Sequence, residues 1–158
     1  MLAAQGTLTI NAAFLQEIKE ENRELRQLLN NCGTALAAEG RTPAEPKRIV
    51  ELLTKLRDQL AMHFALEEAY GYFDDAAHVT PQLSDRALKL RDEHGDLFLH
   101  LGGIVDRAEH MLYHEQPEMR LVNIAEEFTQ FQSRFQDHEA QETELVVQVL
   151  HDETGCGD

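Results

Sequence analysis

The amino-acid sequence predicts an all-α protein, an up-down-up-down antiparallel four-helix bundle, on the basis of three observations. Four segments repeat apolar residues at alternating steps of three and four, the pattern of a helix that buries one face in a bundle. Only nine glycines and four prolines occur, and most of them lie between or beyond these segments. The connections are short, so consecutive helices should run antiparallel. A length of 158 residues suits one domain with a sizeable core, and we expect a single domain over residues 1–158.

The first two helices are predicted over residues 11–39 and 43–73. The first must continue past Gly33, although glycine weakens a helix by roughly 1 kcal/mol relative to alanine, and Gly40 is its expected end. The second begins in the segment 42–45, which combines an N-cap, a proline at the first helical position and a capping-box glutamate. The seam residues, those on the repeating apolar face, are Leu15, Ile18, Asn22, Leu25, Leu29, Cys32 and Leu36 in the first helix and Ile49, Leu53, Leu56, Leu60, His63, Glu67 and Tyr70 in the second.

The third and fourth helices are predicted over residues 81–114 and 117–150, followed by a flexible C-terminal tail. The third has two alternative starts, at Thr80-Pro81 and at Ser84-Asp85, and Pro117 marks the start of the fourth. The seam residues are Leu90, His94, Leu97, Leu101, Ile104, Ala108 and Met111 in the third helix and Leu121, Ile124, Phe128, Phe131, Phe135, His138, Glu142, Leu145 and Val149 in the fourth.

Charge and composition exclude several classes of function. The chain has 29 Asp and Glu residues against 14 Lys and Arg, a formal net charge of −15. Nucleic acid and anionic membranes require a basic surface, so we expect neither as a partner. No signal peptide is evident, and no apolar run approaches the roughly 18 residues that span a bilayer. The two cysteines form no disulfide framework and no CxxC motif, which favours a reducing compartment, and we expect a cytoplasmic protein.

Polar residues interrupt the apolar seams at six positions. These are Asn22, His63, Glu67, His94, His138 and Glu142. Burying such groups without partners costs roughly several kcal/mol each, so six of them need a common explanation. At about 1.5 Å of rise per residue, antiparallel packing brings all six to nearly the same level of the bundle. Three imidazoles and two carboxylates at one level suit iron, manganese or zinc. The predicted metal ligands are His63, Glu67, His94, His138 and Glu142.

At these positions the chain resembles the hemerythrin-like (HHE cation-binding) family. That family's pattern is a His on the first helix, HxxxE on the second, a His on the third and HxxxE on the fourth. The matching segments are His63-Phe64-Ala65-Leu66-Glu67, Glu93-His94 and His138-Glu139-Ala140-Gln141-Glu142, and the resemblance spans about residues 11–150. It implies a non-haem di-iron centre bridged by the two glutamates. It also implies a role in binding or sensing oxygen or iron, or in handling nitric oxide or peroxide.

The first-helix histidine of that pattern is replaced here by Asn22. Glu21 beside it is one alternative oxygen ligand, and the Asn22 amide oxygen is a weaker one. Otherwise water occupies the position, or only one ion binds. The third helix has Phe98 four residues after His94, so the HxxxH of the oxygen-carrying hemerythrins is absent.

Two functional hypotheses follow. The first is a di-iron or mono-iron protein that binds or senses dioxygen or a related small molecule, or that handles iron, with zinc or manganese as alternative metals. The second is a bundle without metal that acts as an interaction module, a hypothesis that Asn22 favours and that leaves the protein partner unknown. No GxSxG motif, phosphate loop or other catalytic constellation is present, so any activity would be redox chemistry at the metal. Ferritin-like and rubrerythrin-like oxidases use ExxH, and no glutamate here has a His three residues later.

Overall fold

Four helices make up the part of the chain that the computed structural model describes, residues 20–37, 45–69, 80–114 and 117–155. Helix α1 covers residues 20–36 of that part, α2 is Pro46–Ala69, α3 is Pro81–His114 and α4 is Pro117–Gly155. Within these ranges no strand is present. The predicted all-α four-helix bundle is confirmed. None of the described helices has a stretch long and apolar enough to cross a membrane.

Side-chain contacts show that α3 and α4 run antiparallel. Near the start of α3, Arg86 donates to Gln148 close to the end of α4. Near the end of α3, Arg107 donates to Glu127 close to the start of α4, over 2.6 Å. The residue numbers therefore fall along one helix as they rise along the other.

The remaining helices follow the same alternation. Arg26 of α1 lies 3.9 Å from Glu139 of α4, and further along α1 a Cβ at Gly33 would lie 3.7 Å from the Gln132 side chain, so these two helices are also antiparallel. Glu68, near the end of α2, lies 3.7 Å from Arg91 in the first third of α3. Ile49, in the first turn of α2, belongs to the core cluster that on α3 begins only at Leu97, so this pair is antiparallel too. The chain thus runs up, down, up and down.

Helix α1 continues through Gly33, as predicted, and ends at residue 36 rather than at 39. The N–H of Ala37 donates to the carbonyl of Gly33 over 2.9 Å and completes the last turn. Among the described residues, the nearest neighbour of a Cβ at Gly33 would be the Gln132 side chain, at an ordinary packing distance. The predicted beginning of this helix, residues 11–19, lies outside the described residues.

Helix α2 begins at Pro46, three residues later than the predicted start at Pro43. Glu45 is not helical, and its carbonyl accepts hydrogen bonds from the N–H groups of Arg48 and Ile49. A proline disfavours the helical conformation in the residue before it, so Pro46 excludes Glu45 from the helix and takes the first helical position itself. Residues 41–44 and 70–73, which the prediction included or used as a cap, lie outside the described residues.

Helix α3 uses the first of its two candidate starts. The Leu83 N–H donates to Thr80 Oγ1 over 3.2 Å, the hydrogen bond of an N-cap. Helix α4 begins at Pro117 and continues to Gly155, five residues beyond the predicted end at residue 150. No glycine or proline occurs between these two positions to end it, so the helix includes the first part of the predicted tail.

The apolar core forms two clusters on either side of a polar level. The larger cluster contains side chains from all four helices, including a row of three neighbouring rings, Phe128, Phe131 and Phe135, of which the last two are stacked. The smaller cluster consists of Leu83, Ala87, Leu90, Leu145 and Val149. On α3 the polar His94 lies between the two clusters, one turn from each. The polar level is therefore enclosed by apolar packing at both ends.

Candidate metal centre

Five buried or nearly buried polar side chains meet at that level, which we call the polar layer. Helix α2 contributes His63 and Glu67, α3 contributes His94, and α4 contributes His138 and Glu142. The side chains of the three histidines and of Glu67 are at most 7% exposed, and the Glu142 side chain is 13% exposed. The structure thus brings together all five residues that the sequence predicts as ligands. Their assignment as ligands stays a prediction.

The two carboxylates of the polar layer lie between the imidazoles. The two oxygens of Glu67 face different histidines. Oε1 lies 2.6 Å from Nε2 of His63, and Oε2 lies 3.3 Å from Nε2 of His94. Glu142 Oε1 lies 3.1 Å from the same His94 nitrogen and contacts Nε2 of His138. Every imidazole therefore turns Nε2 toward a shared centre, which is the nitrogen and the direction that a bound ion would use.

Each imidazole of the polar layer is also held by a carboxylate at its other nitrogen. Nδ1 of His63 is 2.9 Å from Glu21, Nδ1 of His94 is 3.3 Å from Glu68, and Nδ1 of His138 is 2.8 Å from Glu93. A carboxylate that accepts a proton-bearing Nδ1 leaves Nε2 with a free lone pair and fixes the ring orientation, the usual arrangement behind metal-bound histidine. We call Glu21, Glu68 and Glu93 the outer glutamates.

The outer glutamates were missed as a set in the sequence, although their positions follow a rule. Each stands immediately beside a polar seam position: Glu21 before Asn22, Glu68 after Glu67, and Glu93 before His94. Adjacent helical residues point about 100° apart, so a long side chain one position off the seam reaches the outer edge of a ring in the seam. An acid next to a polar seam residue, as at these three positions, was the available signal.

Glu21, rather than Asn22, is the residue of α1 that lies in the buried interior. Its side chain is 7% exposed, whereas Asn22 is only partly buried. One Glu21 oxygen faces Nδ1 of His63, and the other accepts from Gln59 over 3.4 Å. Glu21 therefore contacts the Nδ1 side of the His63 ring, whereas Glu67 contacts its Nε2 side. Of the two α1 residues that the sequence offers as oxygen ligands, Glu21 is the buried one.

Asn22 lines a small pocket at the edge of the polar layer. The pocket has a volume of about 200 Å³ and is bounded on its inner side by His63, Glu67 and Glu142. Arg26 and Thr143 contribute to its outer wall. The position where the family places a histidine is thus beside open space that reaches the polar layer.

Phenylalanine side chains cover the polar layer on the side of the larger core cluster. The ring of Phe64 stacks on His94, with centroids 4.0 Å apart and planes within 7°. Phe135 approaches His63 edge-on, with centroids 6.2 Å apart. Both phenyl rings are 5% exposed or less. They exclude water from this side, which strengthens the electrostatic interactions inside.

The charges of the polar layer are strongly coupled. Burial opposes protonation of the imidazoles, but the contacts with Glu21 and Glu67 outweigh it and raise the pKa of His63 to about 10. At His94, burial is again outweighed, here by Glu142 and Glu67, and the pKa rises to about 9. At His138, contacts with Glu142 and Glu93 outweigh burial and raise the pKa. Burial opposes ionisation of Glu67, yet the neighbouring imidazoles lower its pKa to about 2. Without a metal, protons on the imidazoles balance the carboxylates.

Two buried atoms at the centre of the polar layer have no hydrogen-bond partner among the described residues, which indicates that an ion would fit there. Glu67 Oε2 and His138 Nε2 are fully buried, and neither makes a hydrogen bond of acceptable geometry to the described residues, although each lies near an oppositely charged group. Buried polar atoms without such a bond are rare in folded proteins. Glu67, His94, His138 and Glu142 each offer a ligand atom, and these four atoms lie within 4.8 Å of one another. A cation among them would satisfy both atoms, so the residues fit a metal ion.

Raising the pH from 6.5 to 10 should destabilise the metal-free chain. The pKa values of His63 and His94 are raised above 6.5, so their stabilising contribution is complete below pH 6.5 and is lost as the pH rises through about 9 and 10. The pKa of Glu67 is lowered, so its stabilising contribution is complete above pH 4.5 and is lost as the pH falls toward about 2. Thermal melts in chelator across this range should give the highest melting temperature between pH 4.5 and 6.5.

A pair of variants isolates the contribution of the polar layer to that pH dependence. Glu21→Gln removes one carboxylate partner of His63 and should reduce the loss of stability between pH 6.5 and 10. Glu24→Gln, at an exposed acid on the same helix, should leave the loss unchanged. Equal pH profiles for the two variants would contradict the assignment of this effect to the polar layer.

Comparison with known proteins gives one finding. The family model described as the hemerythrin HHE cation binding domain matches residues 13–150 of the chain. No curated protein and no solved structure matches the chain. The matched range contains all four helices up to residue 150, and with them the whole polar layer.

Proposed function

The chain belongs to the hemerythrin HHE cation-binding family, and we propose that its polar layer is a non-haem iron site that binds or senses dioxygen or a related small molecule. The observation that supports this most strongly is the arrangement of the three imidazoles. Each directs Nε2 to the shared carboxylates and is held at Nδ1 by an outer glutamate. Such a preorganised set of nitrogen and oxygen donors suits iron, with manganese or zinc as alternatives.

The proposed ligands are the five residues of the polar layer. His63, His94 and His138 would supply one nitrogen each, and Glu67 and Glu142 would supply carboxylate oxygens between them. Iron supplies, when bound, the capacity to coordinate dioxygen and to change oxidation state. The outer glutamates keep the Nδ1 protons in place, and Phe64 and Phe135 keep water from the apolar side of the layer.

The pocket beside Asn22 supports a small molecule rather than a large substrate as the ligand. Its volume is about 200 Å³, below the roughly 300–1,000 Å³ typical of pockets for drug-sized ligands. It borders His63, Glu67 and Glu142 directly. A diatomic or triatomic molecule has room there next to the proposed ligands.

We also propose a cytoplasmic location. The described cysteine, Cys32, is a free thiol buried in the core, and burial raises its pKa to about 12. A buried, protonated thiol is stable in a reducing compartment and forms no part of a disulfide framework.

Iron analysis of the purified chain tests the proposal. Expression with iron, followed by metal analysis and an absorption spectrum, should give about one to two iron ions per chain and a ligand-to-metal charge-transfer band. Chelation should lower the melting temperature by about 5–10 °C if the metal was present at about 100 times its dissociation constant. Less than about 0.3 iron per chain, together with a melting temperature that chelator does not change, would support the interaction-module hypothesis instead.

A further inference from the structure

The ligand atoms of the polar layer are distributed unequally between its two sides. One side holds four converging ligand atoms, from Glu67, His94, His138 and Glu142, all within 4.8 Å of one another. His63 is not part of that group and faces the other oxygen of Glu67. This asymmetry concerns the same site as the proposed function and rests on it.

The His63 side is short of ligands for a structural reason. Asn22 stands where the family has a histidine, and its side chain lines the pocket at the edge of the layer. Glu21 cannot replace that ligand without giving up its contacts, because both of its oxygens already face His63 Nδ1 and Gln59. The described residues thus present to this side one imidazole, His63, and the Glu67 oxygen that faces it, and Glu142 lines the adjoining pocket.

The His63 side of the polar layer is also the side that borders the pocket beside Asn22. The pocket of about 200 Å³ borders His63 and the carboxylates, and neither His94 nor His138 lines it. His94 is covered by the stacked ring of Phe64. On the four-residue side, His138 borders a separate pocket of about 650 Å³, but its Nε2, the atom that faces the centre, is fully buried. An ion next to His63 would therefore have coordination positions open to the pocket beside Asn22.

From this geometry we infer that the polar layer binds two ions of unequal affinity. A retained ion is held by Glu67, His94, His138 and Glu142. An exchangeable ion is held on the His63 side, and its remaining coordination positions face the pocket beside Asn22. Both are divalent first-row metal ions, since the donors on each side are imidazole and carboxylate. Small molecules that enter the pocket reach the exchangeable ion.

Metal titration of the metal-free chain tests this inference. Anaerobic titration with Fe²⁺, and separately with Co²⁺ as a spectroscopic probe, should show two binding phases, the second at least about 10-fold weaker than the first. His63→Ala should remove the second phase and keep the first. His94→Ala should weaken the first phase by at least about 100-fold, because it removes one of four ligands.

Asn22→His provides a variant that adds a ligand instead of removing one. It should strengthen the second phase by at least about 10-fold and leave the first unchanged. Asn31→His, at an exposed asparagine on the same helix, is the matched control and should change neither phase.

The possible outcomes separate this inference from the proposed function. If the chain binds neither ion, the proposed function fails. If two ions bind with equal affinity, or if His63→Ala loses both, the chain is a metal protein but the asymmetry is wrong. A second phase that Asn22→His does not strengthen also contradicts the asymmetry, and this variant remains informative if His63→Ala does not fold.

Discussion

Replacing Glu67 with glutamine should remove nearly all bound metal from the chain. Glu67 is the residue whose two carboxylate oxygens face different imidazoles, His63 and His94. An amide has one oxygen and no charge, so Glu67→Gln cannot serve both sides of the polar layer. Removing an outer partner of a metal ligand typically costs about 10- to 100-fold in affinity, and losing a shared ligand should cost more than about 100-fold.

Metal content at a concentration that saturates the wild type measures this effect. Glu67→Gln should retain less than about a tenth of the wild-type metal. Glu68→Gln, which removes the outer partner of His94, should show an intermediate loss of affinity. Asp58→Asn, at an exposed acid on the same helix, is the control and should bind as the wild type does. Wild-type metal content in Glu67→Gln would show that the ion lies elsewhere.

Replacing Phe135 with alanine should lower the free energy of unfolding by about 3–5 kcal/mol, which corresponds to a fall of about 6–20 °C in melting temperature. The Phe135 ring is 1% exposed and stacks on Phe131 with centroids 6.1 Å apart. It also contacts His63 from the apolar side. The substitution therefore leaves a cavity directly under the polar layer and removes part of what shields it from water.

Chemical denaturation of the metal-free chain measures that loss without a contribution from metal binding. Tyr113→Ala is the control, because the Tyr113 side chain is 77% exposed and its loss should change stability by no more than about 0.5 kcal/mol. A loss of less than about 1 kcal/mol in Phe135→Ala would mean that the core collapses around the missing ring.

The level of the polar layer is predictable from the sequence because helical rise is constant. Counting residues from the helix starts places His63, His94 and His138 at the same height, and the structure brings them together. Because α2 begins at Pro46 instead of Pro43, the counted height of His63 is wrong by three residues, about 4.5 Å. That error is less than one helical turn, and the polar side chains still meet.

The outer glutamates and the role of α1 are much harder to predict. A seam pattern gives the direction of a residue to within roughly one helical position, which is too coarse to choose between Glu21 and Asn22. The choice depends on how α1 is rotated against α2, and that rotation is determined by packing across the whole bundle. Where an outer carboxylate reaches also depends on its side-chain rotamers, which periodicity does not describe.

The outer glutamates affect the energetics of electron loss at the centre. With neutral imidazoles, the formal charge around it comes from five carboxylates, two in the polar layer and the three at Nδ1. An ion that loses an electron gains positive charge in this negative field, so the oxidised form is stabilised more than the reduced form. Glu21, Glu68 and Glu93 contact the Nδ1 atoms and do not face the centre, yet their charges would lower the reduction potential of a redox-active ion bound here.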